Sequence, residues 1–217
     1  MNIVIRCQDR FYQYGLRALL CEIFPPNLNR TTLTFNDYDH ANAACADILI
    51  LLLHPGEQYI CHAEMRFRAP RLMIGLVDKK HIPARGEIPS CIGNIVFIPL
   101  NASVSKISKV IKQHWFSLQQ AKTPHAVHHC GHCPHKTLTG QQNQLAAFLY
   151  AGMTSKQIAY KMAIGQKTVL AHRNALMTKF RLRTDRELLL FLNAVKEKNR
   201  HRNGMCESCN DDDGWLV

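Results

Sequence analysis

Residues 138–182 constrain the fold of this chain most strongly, because their apolar residues recur at helical spacing and are interrupted at glycines. Thr139 precedes the first apolar stripe, where it can cap a helix, and Gly152 follows the stripe as a left-handed stop. The spacing therefore predicts a helix whose buried side carries Leu145, Phe148 and Leu149.

Two more helices are predicted directly after Gly152. Thr154 can cap a short helix, Gly165 is expected to break it, and Gln166 begins a longer helix. A short helix, a glycine turn and a second helix with a polar exposed side are typical of the helix-turn-helix, whose second helix enters the major groove of DNA. The apolar positions of the pair are Ile158, Ala159, Met162, Val169, Leu176, Met177 and Phe180.

A fourth amphipathic stretch runs from Thr184 to about Lys198 and can pack on the first three helices. Its apolar residues are Leu188, Leu189, Phe191, Leu192 and Val195. Residues 137–202 are therefore expected to form an all-α domain of four helices.

Basic residues dominate the same region, and most of the formal net charge of +11 lies there. Such a concentration attracts phosphate groups and makes binding to nucleic acid fall steeply with salt. The alternative without a role in nucleic-acid binding is an ordinary four-helix domain whose basic face is only a solvated surface. The acidic residues of this span are Asp185, Glu187 and Glu197, and the basic ones are Lys156, Lys161, Lys167, Arg173, Lys179, Arg181, Arg183, Arg186, Lys196, Lys198, Arg200 and Arg202.

At these residues the segment resembles the C-terminal domain of the LuxR/NarL (GerE-type) regulators. It departs from that family at Gln142, where Glu is usual, and at Gly165, where Ser commonly caps the recognition helix. Neither departure is expected to disturb the fold. The shared residues are Leu138, Thr139, Gly152, Ile158, Ala159, Thr168, Val169, His172, Lys179 and Phe180.

The resemblance implies double-stranded DNA as the partner. In the family, the residues just after Thr-Val often reach base edges, so we expect Asn174 to read adenine and Leu170 and Ala171 to touch a thymine methyl. A preference for half-sites that contain A·T pairs follows. The DNA-binding set predicted in this way is Lys156, Lys167, Thr168, Leu170, Ala171, His172, Arg173, Asn174 and Lys179.

Residues 1–118 alternate between strand-like and helix-like segments, which predicts an α/β domain with a parallel sheet. Together with the C-terminal motif, this part resembles the receiver domain of response regulators. The predicted strands are Asn2–Arg6, Asp47–Leu53, Arg71–Val77 and Asn94–Ile98, and the predicted helices are Tyr12–Ile23 and Val104–Leu118.

The receiver chemistry is missing from this domain. A working receiver needs an acidic pair for a divalent metal, an Asp phosphoacceptor, a Thr or Ser and a Lys at successive strand ends. The corresponding positions here are Cys7 and Gln8, Leu51, Val77 and Ile98. We therefore expect a degenerate receiver that is not phosphorylated and serves for dimerisation or docking.

Residues 119–136 are predicted to be a polar linker rich in His and Cys, and residues 203–217 a flexible tail. Cys130 and Cys133 form one CxxC pair, and Cys206 and Cys209 form a second. Two such pairs can supply the four thiolates of a tetrahedral zinc site, with a nearby His as a substitute ligand. A redox-responsive dithiol and reduced cysteines without a role remain alternative interpretations.

Several protein classes are not favoured. The longest apolar run is strand-sized, well short of the roughly 18 residues that cross a membrane, and no signal-peptide core is present, so a cytoplasmic, nucleoid-associated location is expected. No phosphate-binding glycine loop, nucleophile elbow or zinc-protease motif indicates an enzyme. The remaining cysteines are expected in the core: Cys7, Cys21, Cys45, Cys61 and Cys91.

The sequence therefore predicts a transcription regulator that binds DNA as a homodimer or with a related response regulator, without phosphorylation. The resemblance alone suggests targets among fimbrial or capsule genes. The alternative from another class is an interaction protein that sequesters another regulator and no longer reads DNA.

Overall fold

The computed structural model describes residues 1–25, 32–62, 72–120 and 134–203. Two compact units divide the chain. The N-terminal unit contains residues 1–53 and continues from residue 62, whereas the C-terminal unit contains residues 54–61 and the chain from residue 134.

A parallel sheet of five strands forms the centre of the N-terminal unit, in the order β2-β1-β3-β4-β5. β3 and β4 lie between neighbours and consist almost wholly of buried Ile, Leu, Val and Met, as parallel strands covered on both faces do. The strands are β1 (Asn2–Arg6), β2 (Thr34–Asn36), β3 (Ile48–Leu52), β4 (Leu72–Val77) and β5 (Val96–Pro99).

Within the described residues, three α-helices accompany the sheet: α1 (Arg10–Ile23), α2 (His40–Cys45) and α3 (Val104–Gln120). Asp9 caps α1, because its carboxylate accepts a hydrogen bond from the Tyr12 backbone N–H at 3.1 Å. One core cluster joins α1 and α3 to the sheet and includes Leu16, Leu20, Ile107, Ile111 and Trp115.

The C-terminal unit contains four helices in its described residues: α4 (Gly140–Tyr150), α5 (Ser155–Lys161), α6 (Gln166–Lys179) and α7 (Asp185–Asn203). Thr139 and Thr154 cap α4 and α5 in reciprocal capping boxes with Gln142 and Gln157. Gly152 has a φ of 74°, so the predicted left-handed stop after α4 is confirmed.

The fold class predicted from the sequence is therefore confirmed: a receiver-like α/β part with a parallel sheet precedes an all-α helix-turn-helix part. β2 and α2 were not predicted. α3 continues to Gln120, past the predicted limit at residue 118, and residues 54–61 pack with the C-terminal unit. The predicted linker 119–136 is described only from residue 134 onward, apart from the end of α3, and the predicted tail lies outside the described residues except for its first residue.

Candidate nucleic-acid interface

The turn between α5 and α6 differs in detail from its prediction. Ala163, with a φ of 53°, is the left-handed residue that ends the first helix of the pair. Gly165 was expected to break that helix, but it has ordinary extended angles (φ −72°, ψ 150°) and lies at the N-cap of α6. It offers no side-chain cap, so the first turn of α6 lacks the hydroxyl bond that a Ser would add.

Buried apolar residues fix α5 and α6 against α4. Ile158 and Val169 are 0% and 1% exposed and share a cluster with Leu145 and Ala159. The small Ala159 side chain at this contact leaves room for two helices to approach closely. Ala159 and Leu176 are also buried, so the predicted apolar side of the helix pair is confirmed.

The outward side of α6 carries both polar and apolar side chains. Lys167, Thr168, Ala171 and Asn174 are exposed, and Leu170 is 45% exposed. Successive members of this set lie three or four positions apart along the helix: Lys167, then Leu170 or Ala171, then Asn174. Their side chains therefore lie on one side of α6. This side of α6 thus carries one cation, one amide and two apolar side chains.

Three predicted site residues are less exposed than the sequence suggested: His172, Arg173 and Lys179 are half-buried. Arg173 forms an ion pair with Asp185 at the start of α7. The Lys179 ammonium donates to Gln142 Oε1 at 3.4 Å, and its carbonyl accepts from the Lys136 ammonium at 2.9 Å. Arg173 and Lys179 therefore hold α6 against its neighbours in addition to any contact they make with a partner.

Gln142, a departure from the resembled family, serves as a local anchor. Its Oε1 atom accepts from the Thr139 backbone N–H at 3.1 Å, and its own N–H donates to Thr139 Oγ1 at 3.3 Å. Since Lys179 also donates to Gln142, one amide joins the start of α4 to the end of α6. A Glu is not required for this arrangement.

The charged surface of the helix pair is basic. Lys156 and Lys161 on α5 and Lys167 on α6 are exposed, as are Arg183 and Arg186 beyond α6. By contrast, Glu187 is only 6% exposed, and its carboxylate accepts from the Arg183 backbone N–H at 2.8 Å. Asp185 also faces water, but the exposed cations named above outnumber it, so the surface attracts anions.

Sequence reasoning missed two aromatic features of the C-terminal unit. Tyr160 on α5 is 88% exposed. Tyr59, from the segment 54–61, is 1% exposed, and the Lys136 ammonium lies 3.8 Å from the centre of its ring. Tyr160 falls outside the predicted apolar stripe and so was detectable as an exposed aromatic, whereas nothing local in the sequence indicates where Tyr59 packs.

The receiver positions of the N-terminal unit are apolar in the structure. Leu51, Val77 and Ile98 are 0%, 1% and 1% exposed, and each lies in its strand. Cys7 is half-buried, and burial, the largest cause, raises the pKa of its thiol. Gln8 is exposed. These side chains offer no carboxylate at the strand ends where the resemblance would require one.

The proposed zinc ligands Cys130, Cys133, Cys206 and Cys209 lie outside the described residues. Within the described residues, no group of three or more His, Cys, Asp or Glu side chains is placed to hold a metal ion. The expectation that the other cysteines are core residues is correct for Cys91, and Cys7 packs against the core cluster of the N-terminal unit. Cys21 and Cys45 are exposed, and Cys7 and Cys61 are half-buried.

No helix in the described part of the chain is both long and apolar enough to span a membrane. Comparison with known proteins adds a family for the C-terminal unit. Residues 136–192 match the family model of the bacterial regulatory proteins of the luxR family (GerE). No curated protein matches the chain.

The chain is similar in fold to a solved structure. RcsB from Salmonella enterica serovar Typhimurium, bound to promoter P1flhDC in the presence of the phosphomimetic BeF3-, is 19% identical, with a TM-score of 0.52, and the match covers 90% of this chain and 98% of that one. Its complex with promoter rprA is 18% identical, with a TM-score of 0.47 and coverage of 90% and 99%. At these identities the likeness concerns the fold. Residues 136–192 are a helix-turn-helix domain of the luxR family.

Proposed function

We propose that this protein is a sequence-specific, DNA-binding transcription regulator whose reading helix is α6. The observation that carries the proposal is the exposed side of α6, with Lys167, Leu170, Ala171 and Asn174, on a luxR-family helix-turn-helix. The RcsB structure of similar fold is described as bound to promoter P1flhDC, and we extend promoter DNA as a partner to this chain.

Each exposed side chain of α6 has a role that its chemistry suits. The Asn174 amide can pair in bidentate fashion with adenine N6 and N7, and Leu170 and Ala171 can contact a thymine methyl. Thr168 can donate its hydroxyl to a phosphate, and Lys156 and Lys167 can neutralise phosphates. The proposed operator therefore contains A·T pairs under the middle of α6.

The half-buried members of the predicted set have a mixed role in this proposal. His172, Arg173 and Lys179 remain candidates for phosphate contacts through their exposed portions. Arg173 and Lys179 also position α6 through Asp185 and Gln142. Substituting either one therefore disturbs the helix pair as well as any contact with DNA, which makes Asn174 the cleaner probe.

The N-terminal unit acts without phosphorylation in this proposal. Support comes from the apolar, buried side chains of Leu51, Val77 and Ile98 at the positions where a receiver carries its phosphoacceptor, hydroxyl and lysine. Incubation with acetyl phosphate and Mg²⁺ followed by mass spectrometry is expected to find no phosphorylated aspartate. An aspartyl phosphate on any residue of this unit would refute phosphorylation independence and leave DNA binding untouched.

A dimer suits the proposed activity, because two-fold symmetric proteins bind paired half-sites. The partner is a second copy or a related response regulator, in the cytoplasm at the nucleoid, and fimbrial or capsule genes are the proposed targets. We keep zinc at Cys130, Cys133, Cys206 and Cys209 as a separate proposal. Atomic absorption on untagged protein tests it, and less than about a tenth of an equivalent would remove it.

Genome-wide immunoprecipitation of the tagged protein in its native host tests the proposed function. Discrete peaks are expected for the wild type, and they should vanish for Asn174→Ala but persist for the matched control Asn101→Ala, which changes an exposed Asn of the N-terminal unit. Absence of peaks for the wild type would instead favour the sequestering protein. That second candidate predicts a regulatory effect that survives Asn174→Ala.

A further inference from the structure

The exposed residues of α1 form a single stripe on the N-terminal unit. Its two aromatic residues are unusually accessible, since Phe11 is 90% exposed and Tyr14 is 63% exposed. The opposite side of α1 is buried through residues such as Leu16, Leu19 and Leu20. The full exposed stripe is Arg10, Phe11, Tyr14, Gly15, Ala18, Cys21 and Glu22.

Large side chains occupy the first half of the stripe, and small ones occupy the second. Phe11 and Tyr14 precede Ala18 and Cys21, and the space beside Gly15 is open, since a Cβ built there meets no described atom within 4 Å. When two α1 helices lie antiparallel about a two-fold axis near residue 16, Phe11 of each faces Cys21 of the other. Tyr14 then faces Ala18, so each aromatic ring meets a small residue.

The charges at the two ends of the stripe are also complementary. Arg10 begins α1 and Glu22 lies in its last turn, and both are exposed. The same antiparallel alignment that places Phe11 against Cys21 places Arg10 of one copy against Glu22 of the other. The two-fold axis generates this ion pair twice, so shape and charge select the same register.

We propose that α1 is a homodimer interface, occupied by α1 of a second copy in this antiparallel register. The inference deepens the dimer of the proposed function by naming its partner and its contact surface. Because dimerisation is measured without DNA, its failure leaves the proposed DNA binding intact, and the reverse also holds.

The neighbouring helix argues for the narrow α1 contact over a broader one. α3 packs beside α1 and exposes Lys106, Lys109 and Lys112. Two copies that met through α3 would bring these like charges together, which is unfavourable. The contact is therefore centred on α1, where each copy supplies both charge signs.

The interface is small, and its affinity should be correspondingly modest. Four aromatic side chains that bury roughly 150–250 Å² each give about 600–1,000 Å², below the standard interface of about 1,600 Å². A dimer in the micromolar range is expected in free solution. Two half-sites on one DNA molecule would then raise the effective concentration of the copies and favour the pair.

Sedimentation equilibrium of the full chain with charge exchange tests the register. Arg10→Glu and Glu22→Arg should each weaken dimerisation by about tenfold, because each converts two attractive pairs into repulsive ones. The double variant Arg10→Glu/Glu22→Arg exchanges the signs and should recover the wild-type dissociation constant within a few-fold. A recovery also proves that the single variants were not simply misfolded. Unchanged single variants, or a double variant weaker than both, would overturn the proposal.

Cross-linking provides a second measurement that does not depend on charge. Phe11→Cys places a thiol opposite the native, exposed Cys21 of the second copy. Oxidised glutathione should convert these two thiols into an intermolecular disulfide, releasing two reduced glutathione molecules. Peptide mapping should find the peptide from residue 11 joined to that of Cys21, and Phe11→Cys/Cys21→Ser should lose it. Absence of that peptide in the single variant would count against the antiparallel register.

Discussion

Arg173 on α6 is paired with Asp185 in the first turn of α7. The Arg173 side chain is 21% exposed, whereas the Asp185 side chain is 80% exposed, so the carboxylate faces water beside the proposed reading helix. Asp185 fixes the Arg173 guanidinium and also competes with any phosphate for it. The contact with Asp185 therefore helps to position α6 but should lower the affinity of the protein for DNA.

Asp185→Asn should raise the affinity for DNA by a few-fold at low salt, because it removes a negative charge and frees the Arg173 guanidinium. The gain should shrink as salt is added. Stability should fall only slightly, since an ion pair whose carboxylate is largely exposed to water contributes about 0–1 kcal/mol. Fluorescence anisotropy over a salt series measures the affinity. The control is Asp37→Asn, which makes the same charge change at an exposed position of the N-terminal unit. An equal gain in DNA affinity for this variant would show that release of Arg173 is not the cause.

Lys167→Ala should weaken binding to specific and random duplexes by a similar factor, because a lysine on a phosphate does not read sequence. The slope of log K against log salt should decrease by about 0.9 for one lost phosphate contact. Anisotropy titrations with both duplexes provide the slopes. The control Lys106→Ala removes an exposed lysine of α3 and should leave both slopes unchanged. If Lys167→Ala also leaves the slopes unchanged, Lys167 is not part of the proposed interface.

The helix pair was predictable because its signals are local. Apolar spacing indicated the buried sides of α5 and α6, and Thr139 and Thr154 cap α4 and α5 as predicted. The partners of Arg173 and Lys179 were not predictable, because Asp185 and Gln142 come close only when separate helices pack. The same limit explains why these two basic residues were placed among the exposed positions of the helix.

Gly56 makes a second contact that tertiary structure alone reveals. It has a φ of 85°, and a Cβ added there would lie 2.7 Å from Phe191 Cδ2. In the same segment, Tyr59 and Ile60 are buried in the core cluster that contains Phe180 and Phe191. Segment 54–61 is separated from the end of β3 by one residue, so sequence position assigned it to the receiver-like part, although its contacts lie in the C-terminal unit.

Gly56→Ala should therefore destabilise the C-terminal unit by about 2–4 kcal/mol, through both backbone strain and overpacking against Phe191. Gly152→Ala is the matched control, because Gly152 also has a positive φ (74°) but has open space around it. That variant should cost about 1 kcal/mol from strain alone. Hydrogen exchange of the α7 amides measures the difference. Equal protection in the two variants would show that the Phe191 contact does not stabilise the unit.

High pH should destabilise the N-terminal unit. Burial raises the pKa of Cys7 and of Tyr12 above their ordinary values of 9.0 and 10.0, so the folded state retains these protons longer than the unfolded state does. Their contribution is fully present below pH 9 and is lost as the pH rises through the raised values. Urea unfolding between pH 8 and pH 11 should show this decline, and Cys7→Ser/Tyr12→Phe should flatten it. An equally steep decline in the double variant would contradict these assignments.

The central claim is that α6 reads DNA sequence, and selection from a random pool of duplexes tests it most directly. The wild-type protein should enrich one motif with A·T pairs, and Asn174→Ala should lose preference at one of them, at a cost of about 1–3 kcal/mol for the selected site. Binding to random duplexes should be unaffected by the substitution. Failure of the wild type to enrich any motif, or an identical motif and affinity for Asn174→Ala, would contradict the account.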